Sequence, residues 1–296
     1  ITKNKKEGIK TMKIKNLKLI VAMSVLLVSS VFARELASSE VNSRASERVL
    51  NGENLSPGIS VLNINNIAYW IGKDGAYTTA GSPNGTMADY PIFTGGFIYS
   101  DGMLWGAKVK GDGQGDEVRV GGSTYNHGLK AGRIITDANG AVLGSDDPVN
   151  NHVWRVRKDY ASADLTVDAA NYYAVGTGDV TAAQIAVVKN QYEYDWYNWP
   201  AAWGAPYHDV NGDGSYDPAV DVPGYPGADQ TMWTIANDVP LIVNADGDSI
   251  GYQSTAPNLY GADPIGIELQ ITLWGYAFGA SDPLGNNIFK PVSYTH

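Results

Sequence analysis

The sequence predicts a mainly-β fold, a β-sandwich-like domain with one substantial α-helix over about 181–199 and long Gly/Pro-rich loops. Three observations predict it. Charged residues make up only 18% of the chain while Gly (34), Tyr (18) and Trp (8) are abundant, a composition that suits aromatic strands joined by tight turns. Several short stretches alternate apolar and polar residues, as half-buried strands do. One stretch combines helical periodicity with a start and a stop signal. Hydrophobic residues account for 44% of 296, enough for a sizeable core and too many for wholesale disorder.

Taken in order, residues 1–11 read as an extension upstream of a start at Met12. Residues 12–33 read as a signal peptide: a charged segment from Lys13 to Lys18, an apolar run from Leu19 to Val28, then Val31 and Ala33 at the −3 and −1 positions of a cleavage site. That run is too short for a comfortable bilayer span, so no stable membrane insertion is expected after its removal. Residues 34–55, with Ser38, Ser39, Ser43 and Ser46 among several charges, read as a linker. A β-rich calcium-binding domain is expected over 56–296. Its last residues, Phe289–His296, carry no turn or cap, so the domain is expected to be truncated there.

Within that domain, strands are expected from Ile59, at Ala68–Ile71, Phe97–Tyr99, Met103–Lys110 and Glu117–Tyr125, with Thr78–Tyr90 as loop. The run Gly111–Asp116 reads as a hairpin connection whose glycines supply positive φ. Thr181-Ala182-Ala183-Gln184 is a capping box. Ile185, Val188, Tyr192, Trp196 and Trp199 then recur at spacings of three and four, and Pro200 stops the helix. Leu165–Tyr173 is a weaker helical stretch. Ile267, Leu269, Ile271 and Leu273 alternate with Glu268, Gln270 and Thr272 as one further half-buried strand.

Charge narrows the partners. The chain carries −10, and its first 33 residues hold seven lysines against one glutamate, so the remainder is more acidic still. Such a polyanion repels nucleic acid and anionic lipid and favours divalent cations held by carboxylates. There is no cysteine, which excludes disulfides and thiolate chemistry and leaves bound metal as a staple for a secreted domain.

The strongest motif is Tyr207–Asp221, Tyr-His-Asp-Val-Asn-Gly-Asp-Gly-Ser-Tyr-Asp-Pro-Ala-Val-Asp. Asp209, Asn211, Asp213, Ser215 and Asp217 fall at every second position, and Gly214 permits a sharp turn. A tightly coiled loop points alternate oxygens inward, which is how hard Ca2+ collects its six to eight ligands. We expect side-chain ligands from Asp209, Asn211 and Asp213, a carbonyl from Ser215, and Asp217 directly or through water. An EF-hand wants a bidentate Glu at the twelfth position, which here is Val220; Asp221, one further on, substitutes with altered geometry. The loop is therefore EF-hand-like or thrombospondin-type-3-like, outside a helix–loop–helix, and suited to stapling. The plain alternative is an Asx-rich turn with no ion. The acid pairs at Asp246-Gly247-Asp248 and Asp112–Asp116 read as polar hairpin tips.

Aromatic residues crowd the segment before this loop. Helical spacing assigns Tyr192, Trp196 and Trp199 to a core face. Tyr194 and Tyr197 fall off that stripe and are the candidates for stacking on a ligand such as a sugar. Catalytic motifs are lacking: His127, His152, His208 and His296 form no H-E-x-x-H pair, and neither a G-x-S-x-G elbow nor a phosphate-binding G-x-x-x-x-G-K-[ST] occurs. A carboxylate pair for glycoside hydrolysis is defined by spatial separation, which sequence does not display.

Asn198-Trp199-Pro200, Gly204-Ala205-Pro206-Tyr207, the Asp209–Gly214 run, Tyr216-Asp217-Pro218, Pro223-Gly224 and Gly227–Trp233 follow one another closely. With Asp116–Tyr125, Tyr260-Gly261, Ile265–Gln270 and Trp274-Gly275-Tyr276, they resemble the N-terminal region of large secreted bacterial proteins of the type IX secretion cargo type. The resemblance spans roughly residues 60–290. It implies export and a C-terminal sorting domain, which this sequence does not contain, and it carries over no activity. The expected function is a secreted or cell-surface structural or adhesive module with a Ca2+-stapled loop, its partners Ca2+ and a glycan or another surface protein. The alternative is a carbohydrate-binding module or glycoside hydrolase.

Overall fold

The structure, a computed structural model, describes residues 58–75, 82, 84–110, 116–124, 128–136, 138, 152–239, 241–243, 249–252 and 263–295. All lie in the second of two units into which the chain divides, Ala45–His296. The expected extension, signal peptide and linker fall outside the described residues, as do His127 and the hairpin tips at 111–115 and 244–248. None of the described helices is long and apolar enough to cross a membrane.

The fold is mainly β and antiparallel. Strands β1 (Ile59–Leu62), β2 (Ala68–Gly72), β3 (Ala88–Asp89) and β4 (Gly96–Ile98) form the first sheet, in that order. Strands β5 (Leu104–Lys110) and β6 (Asp116–Gly122) form the expected hairpin, paired from Leu104–Gly122 to Lys110–Asp116. Then come β7 (Lys130–Ala131), β8 (Trp154–Arg157), helices α1 (Thr166–Tyr173) and α2 (Ala182–Tyr197), and the short pair β9 (Tyr207–His208) and β10 (Val222–Pro223). The chain continues through β11 (Gln230–Asn237), the pair β12 (Leu241–Val243) and β13 (Ser249–Tyr252), β14 (Glu268–Gly275) and β15 (Val292–Thr295). The second sheet runs β15-β14-β11, and the free side of β11 is shared by two strands in series: β8 pairs with Gln230–Trp233 and β7 with Ala236–Asn237.

Sequence periodicity did not mark β11, the centre of the fold. All eight of its residues are buried, because both faces of the strand are covered. A strand covered on both faces loses the polar half of its alternation. On one face Met232 and Ala236 join Leu269, Ile271 and Leu273 of β14 against Leu62, Tyr69 and Ile71 of the first sheet. This is the sandwich core. On the other face Trp233 and Ile235 meet Trp154, Val156, Trp199 and Ala205. β14 shows the expected alternation, with Leu269, Ile271 and Leu273 at 0 to 2% exposure.

Helix α2 begins at the capping box read from the sequence. Thr181 Oγ1 accepts from the Gln184 amide at 3.2 Å, and Gln184 Oε1 accepts from the Thr181 amide at 2.8 Å. Val188 and Tyr192 are buried against Leu165, Ala169 and Tyr173 of the α1 segment. The next buried position is Asp195 rather than Trp196, which is half-buried. Trp199 lies beyond the helix end at Asn198, and its indole donates to the Pro206 carbonyl at 2.8 Å.

A seam of buried polar groups joins α2 to both sheets. The Tyr192 hydroxyl donates to Asp168 Oδ1 and accepts from Gln230 Nε2 at 2.7 Å. Gln230 Oε1 accepts from the Asn63 amide at 2.8 Å, at the end of β1. Asp168 also takes Arg157 Nη1 at 2.7 Å. Arg155 lies 4.4 Å over the Tyr192 ring and donates Nη1 to the Val61 carbonyl at 3.0 Å. Burial pushes the Tyr192 hydroxyl well above its ordinary pKa, so it remains a donor.

Two measurements check this core. Leu269→Ala is expected to cost about 2–5 kcal/mol of unfolding free energy in urea, while Val118→Ala, at a position 72% exposed, stays within about 0.5 kcal/mol. Burial lowers the Lys130 ammonium to about 8. The unfolded chain, whose lysine titrates near 10.4, therefore binds more protons between those values, and this group's contribution to stability rises with pH across that window. Between pH 7 and pH 10 the wild type should gain stability relative to Lys130→Met; parallel profiles would remove the assignment.

Candidate functional site

The motif read from the sequence forms the loop between β9 and β10, whose register joins His208 to Val222 and Tyr207 to Pro223. The loop coils by capping its own amides. Asp209 accepts from Gly212 at 2.6 Å through Oδ1 and from Gly214 at 2.8 Å through Oδ2. Asn211 Oδ1 accepts from the Asp213 amide at 3.1 Å, and Asp213 Oδ1 from the Ser215 amide at 2.8 Å. The coil needs left-handed backbone at Gly212 and Gly214, with φ of 74° and 78°, which an L side chain resists. The Gly214 amide, helped by those of Gly212 and Asp213, holds the Asp209 carboxyl below its ordinary range.

Asp221 differs from the other five positions. It is 2% exposed, whereas Asp209 is half-buried and Asn211, Asp213, Ser215 and Asp217 are exposed. Its Oδ1 accepts from the Val210 amide at 2.9 Å and its Oδ2 from the Asp217 amide at 2.8 Å. It latches the beginning of the loop to its far limb. Asp217 in turn caps Ala219 through Oδ1 at 2.9 Å. Among the described residues, no three acidic or histidine side chains stand together as a metal cluster. The donor set of the loop is nonetheless wholly oxygen, the chemistry that Ca2+ selects.

Aromatic residues pin the loop to the end of α2. The Tyr216 hydroxyl donates to the Trp196 carbonyl, and the Trp196 indole donates to the Pro218 carbonyl at 3.2 Å. Tyr207 meets Tyr216 edge-on at 5.5 Å between centroids. Burial, followed by the charges of Asp221 and Asp217, raises the Tyr216 pKa. Trp196, expected on the core stripe, thus serves as the anchor of the loop.

The two aromatic residues expected at the surface are there. Tyr194 is 56% and Tyr197 57% exposed. Tyr194 lies 6.2 Å from Trp154 at 14° between planes, so one face of its ring is occupied by the protein. The sequence did not point to the buried Asp195 beneath them. Its Oδ2 accepts from the Arg155 amide at 2.7 Å, and its Oδ1 lies 2.6 Å from His152 Nε2 and accepts from Gln191 Nε2 at 2.9 Å. The carboxylate thus satisfies the outward amide of edge strand β8. The one available hint was its position three residues after Tyr192 on the buried stripe. His208 is exposed on β9, paired through its backbone to Val222.

No family model, no curated protein and no solved structure matches this chain.

Removing the latch tests the loop architecture. Asp221→Ala leaves the Val210 and Asp217 amides without their acceptor, at a cost of about 1–3 kcal/mol for each group that stays buried. The expected result is a lower melting temperature and new proteolytic cleavage within 210–219. Asp195→Ala should destabilise the chain without opening that loop.

Proposed function

We propose that the chain is a secreted or cell-surface structural module, adhesive in role, in which Ca2+ staples the 209–221 loop. The observation that carries this reading is the loop itself. Five oxygen-bearing residues at alternate positions coil about two left-handed glycines, and a buried carboxylate closes the coil. Asp209, Asp213 and Asp217 gather three negative charges in nine residues. A divalent cation is drawn to that charge.

The ligand set for the ion is Asp209, Asn211 and Asp213 through side chains, Ser215 through its carbonyl, and Asp217, with Asp221 as latch. Ca2+ suits such a flexible loop better than Mg2+, which demands near-ideal octahedral geometry and keeps its water. The role is mechanical. Because the loop is pinned to α2 by Trp196 and Tyr216, tightening it also secures the end of the helix. The leader-like residues 12–33, the acidity and the type IX cargo resemblance support a location outside the cell.

Isothermal titration of the metal-stripped chain with CaCl2, paired with thermal melts, tests the proposal. Binding by the native state alone stabilises it by about 2.7 kcal/mol at 100 times the dissociation constant. We expect saturable binding, a raised melting temperature, and loss of both in Asp213→Ala. Absence of heat and of any Ca2+-dependent melting shift would overturn it.

A further inference from the structure

A string of five aromatic rings crosses the outward face around β14. Tyr225 stacks on Trp274 at 3.7 Å with 3° between planes, and Trp274 on Phe289 at 5.4 Å and 11°. Tyr276 meets Phe289 edge-on at 5.9 Å and reaches Phe278 at 6.4 Å. Tyr225, Phe289 and Phe278 are 39, 36 and 44% exposed. Trp274 itself is only 9% exposed and is stacked by both Tyr225 and Phe289, so the rings open to a ligand are Tyr225, Phe289 and Phe278. Large exposed rings grouped in this way signal a recognition surface.

The last ring of the track, Phe278, lines a cleft of about 390 Å3. This lies at the small end of the ~300–1,000 Å3 range of ligand sites. The turn 63–66 and Ile92 form part of its lining, with Arg157 and the Asp164–Asp168 start of α1. Arg157 is held by Asp159 at 2.7 Å and Asp168 at 2.7 Å, so the cleft has no surplus positive charge for a phosphate, sulfate or uronate. Two acceptors remain open. Asp164 uses Oδ1 for the Thr166 amide and hydroxyl, leaving Oδ2 unpaired, and Asn66 donates Nδ2 to Asn286, leaving Oδ1 unpaired.

The ligand that fits presents apolar faces to stacked rings and hydroxyl donors to neutral and acidic acceptors, without negative charge. A pyranose does both. An extended peptide would instead seek an open backbone edge. Under the track the edge of β14 is already taken, since Trp274 and Phe289 exchange backbone hydrogen bonds at 3.0 Å in both directions. We infer that the track and the cleft form one binding site for a neutral oligosaccharide. The exposed rings of the track, Tyr225, Phe289 and Phe278, pack against successive sugar rings, with Trp274 as their buried support, and the cleft takes the terminal sugar. This site is separate from the 209–221 loop and does not need its ion.

The test is the full chain on an array of neutral gluco-, manno-, galacto- and xylo-configured tetra- to hexasaccharides, in Ca2+ and in EDTA. The strongest ligand is then titrated calorimetrically. We expect binding in both buffers, weakened tenfold or more by Phe278→Ala and by Tyr225→Ala, and unchanged by Tyr197→Ala. Phe278→Leu keeps apolar volume without a ring and should also lose affinity, which guards against a folding artefact. Four results would overturn the inference: no neutral glycan bound, binding only to anionic glycans, binding indifferent to Phe278 and Tyr225, or binding lost in EDTA. The last would assign recognition to the loop instead.

Discussion

The Tyr192 hydroxyl, held between Asp168 and Gln230, is the contact on which the arrangement of layers depends. It sits on a helix, its acceptor on a second helix, and its donor on the central strand. Gln230 then reaches the Asn63 amide at the end of the first sheet. Burying Asp168, Arg157 and Arg155 beside this hydroxyl is tolerable only because each finds partners. Breaking such a buried pair costs about 3–5 kcal/mol, since the survivor stays charged and dry. Arg155 leaves Nε and Nη2 without a hydrogen bond, and its guanidinium lies over the Tyr192 ring at 4.4 Å. The ring face offsets part of that deficit. Apolar packing alone would let α2 slide along β8; this seam gives it one position.

From that position two surfaces follow. The C-terminal end of α2 presents Trp196 where Tyr216 and Pro218 can grip it, so the acidic loop is hung from a rigid element. On the Trp233 face of the β11–β14 pair, register sets Trp274 opposite Thr231, and Tyr225 stacks on its ring. Both are placed by the same strand, with β11 as the common reference.

How legible all this was depended on whether a feature was local. The Thr181–Gln184 cap is read directly, because both its bonds close within four residues. β14 is read because one face of it is apolar and the other mixed. β11 is not, because its neighbours cover both faces and Gln230, Thr231 and Thr234 are buried with the rest. Asp195 is hidden for a related reason: a carboxylate on a buried stripe contradicts the pattern that defines the stripe, and its justification, the Arg155 amide, lies on another element. The Asp209–Asp217 run was visible, and Asp221 with it, yet only the fold separates a buried latch from exposed oxygens. The aromatic track could not be foreseen, since Tyr225, Trp274 and Phe289 belong to three separate segments joined by sheet register.

The Asn63–Gln230 contact also bears on the order in which the chain acquires its shape. It joins residues 167 positions apart, and Asn65 reaches Asn287 across 222. Closing loops of that length precedes any reward from the contacts they allow, and topologies rich in such pairings fold slowly. The first sheet cannot complete its core until β11 and β14 are available to cover it. The apolar face of the first sheet therefore waits for partners that the chain supplies roughly 170 to 200 residues later, and Leu62, Tyr69 and Ile71 stay wet until Met232, Leu269 and Ile271 arrive.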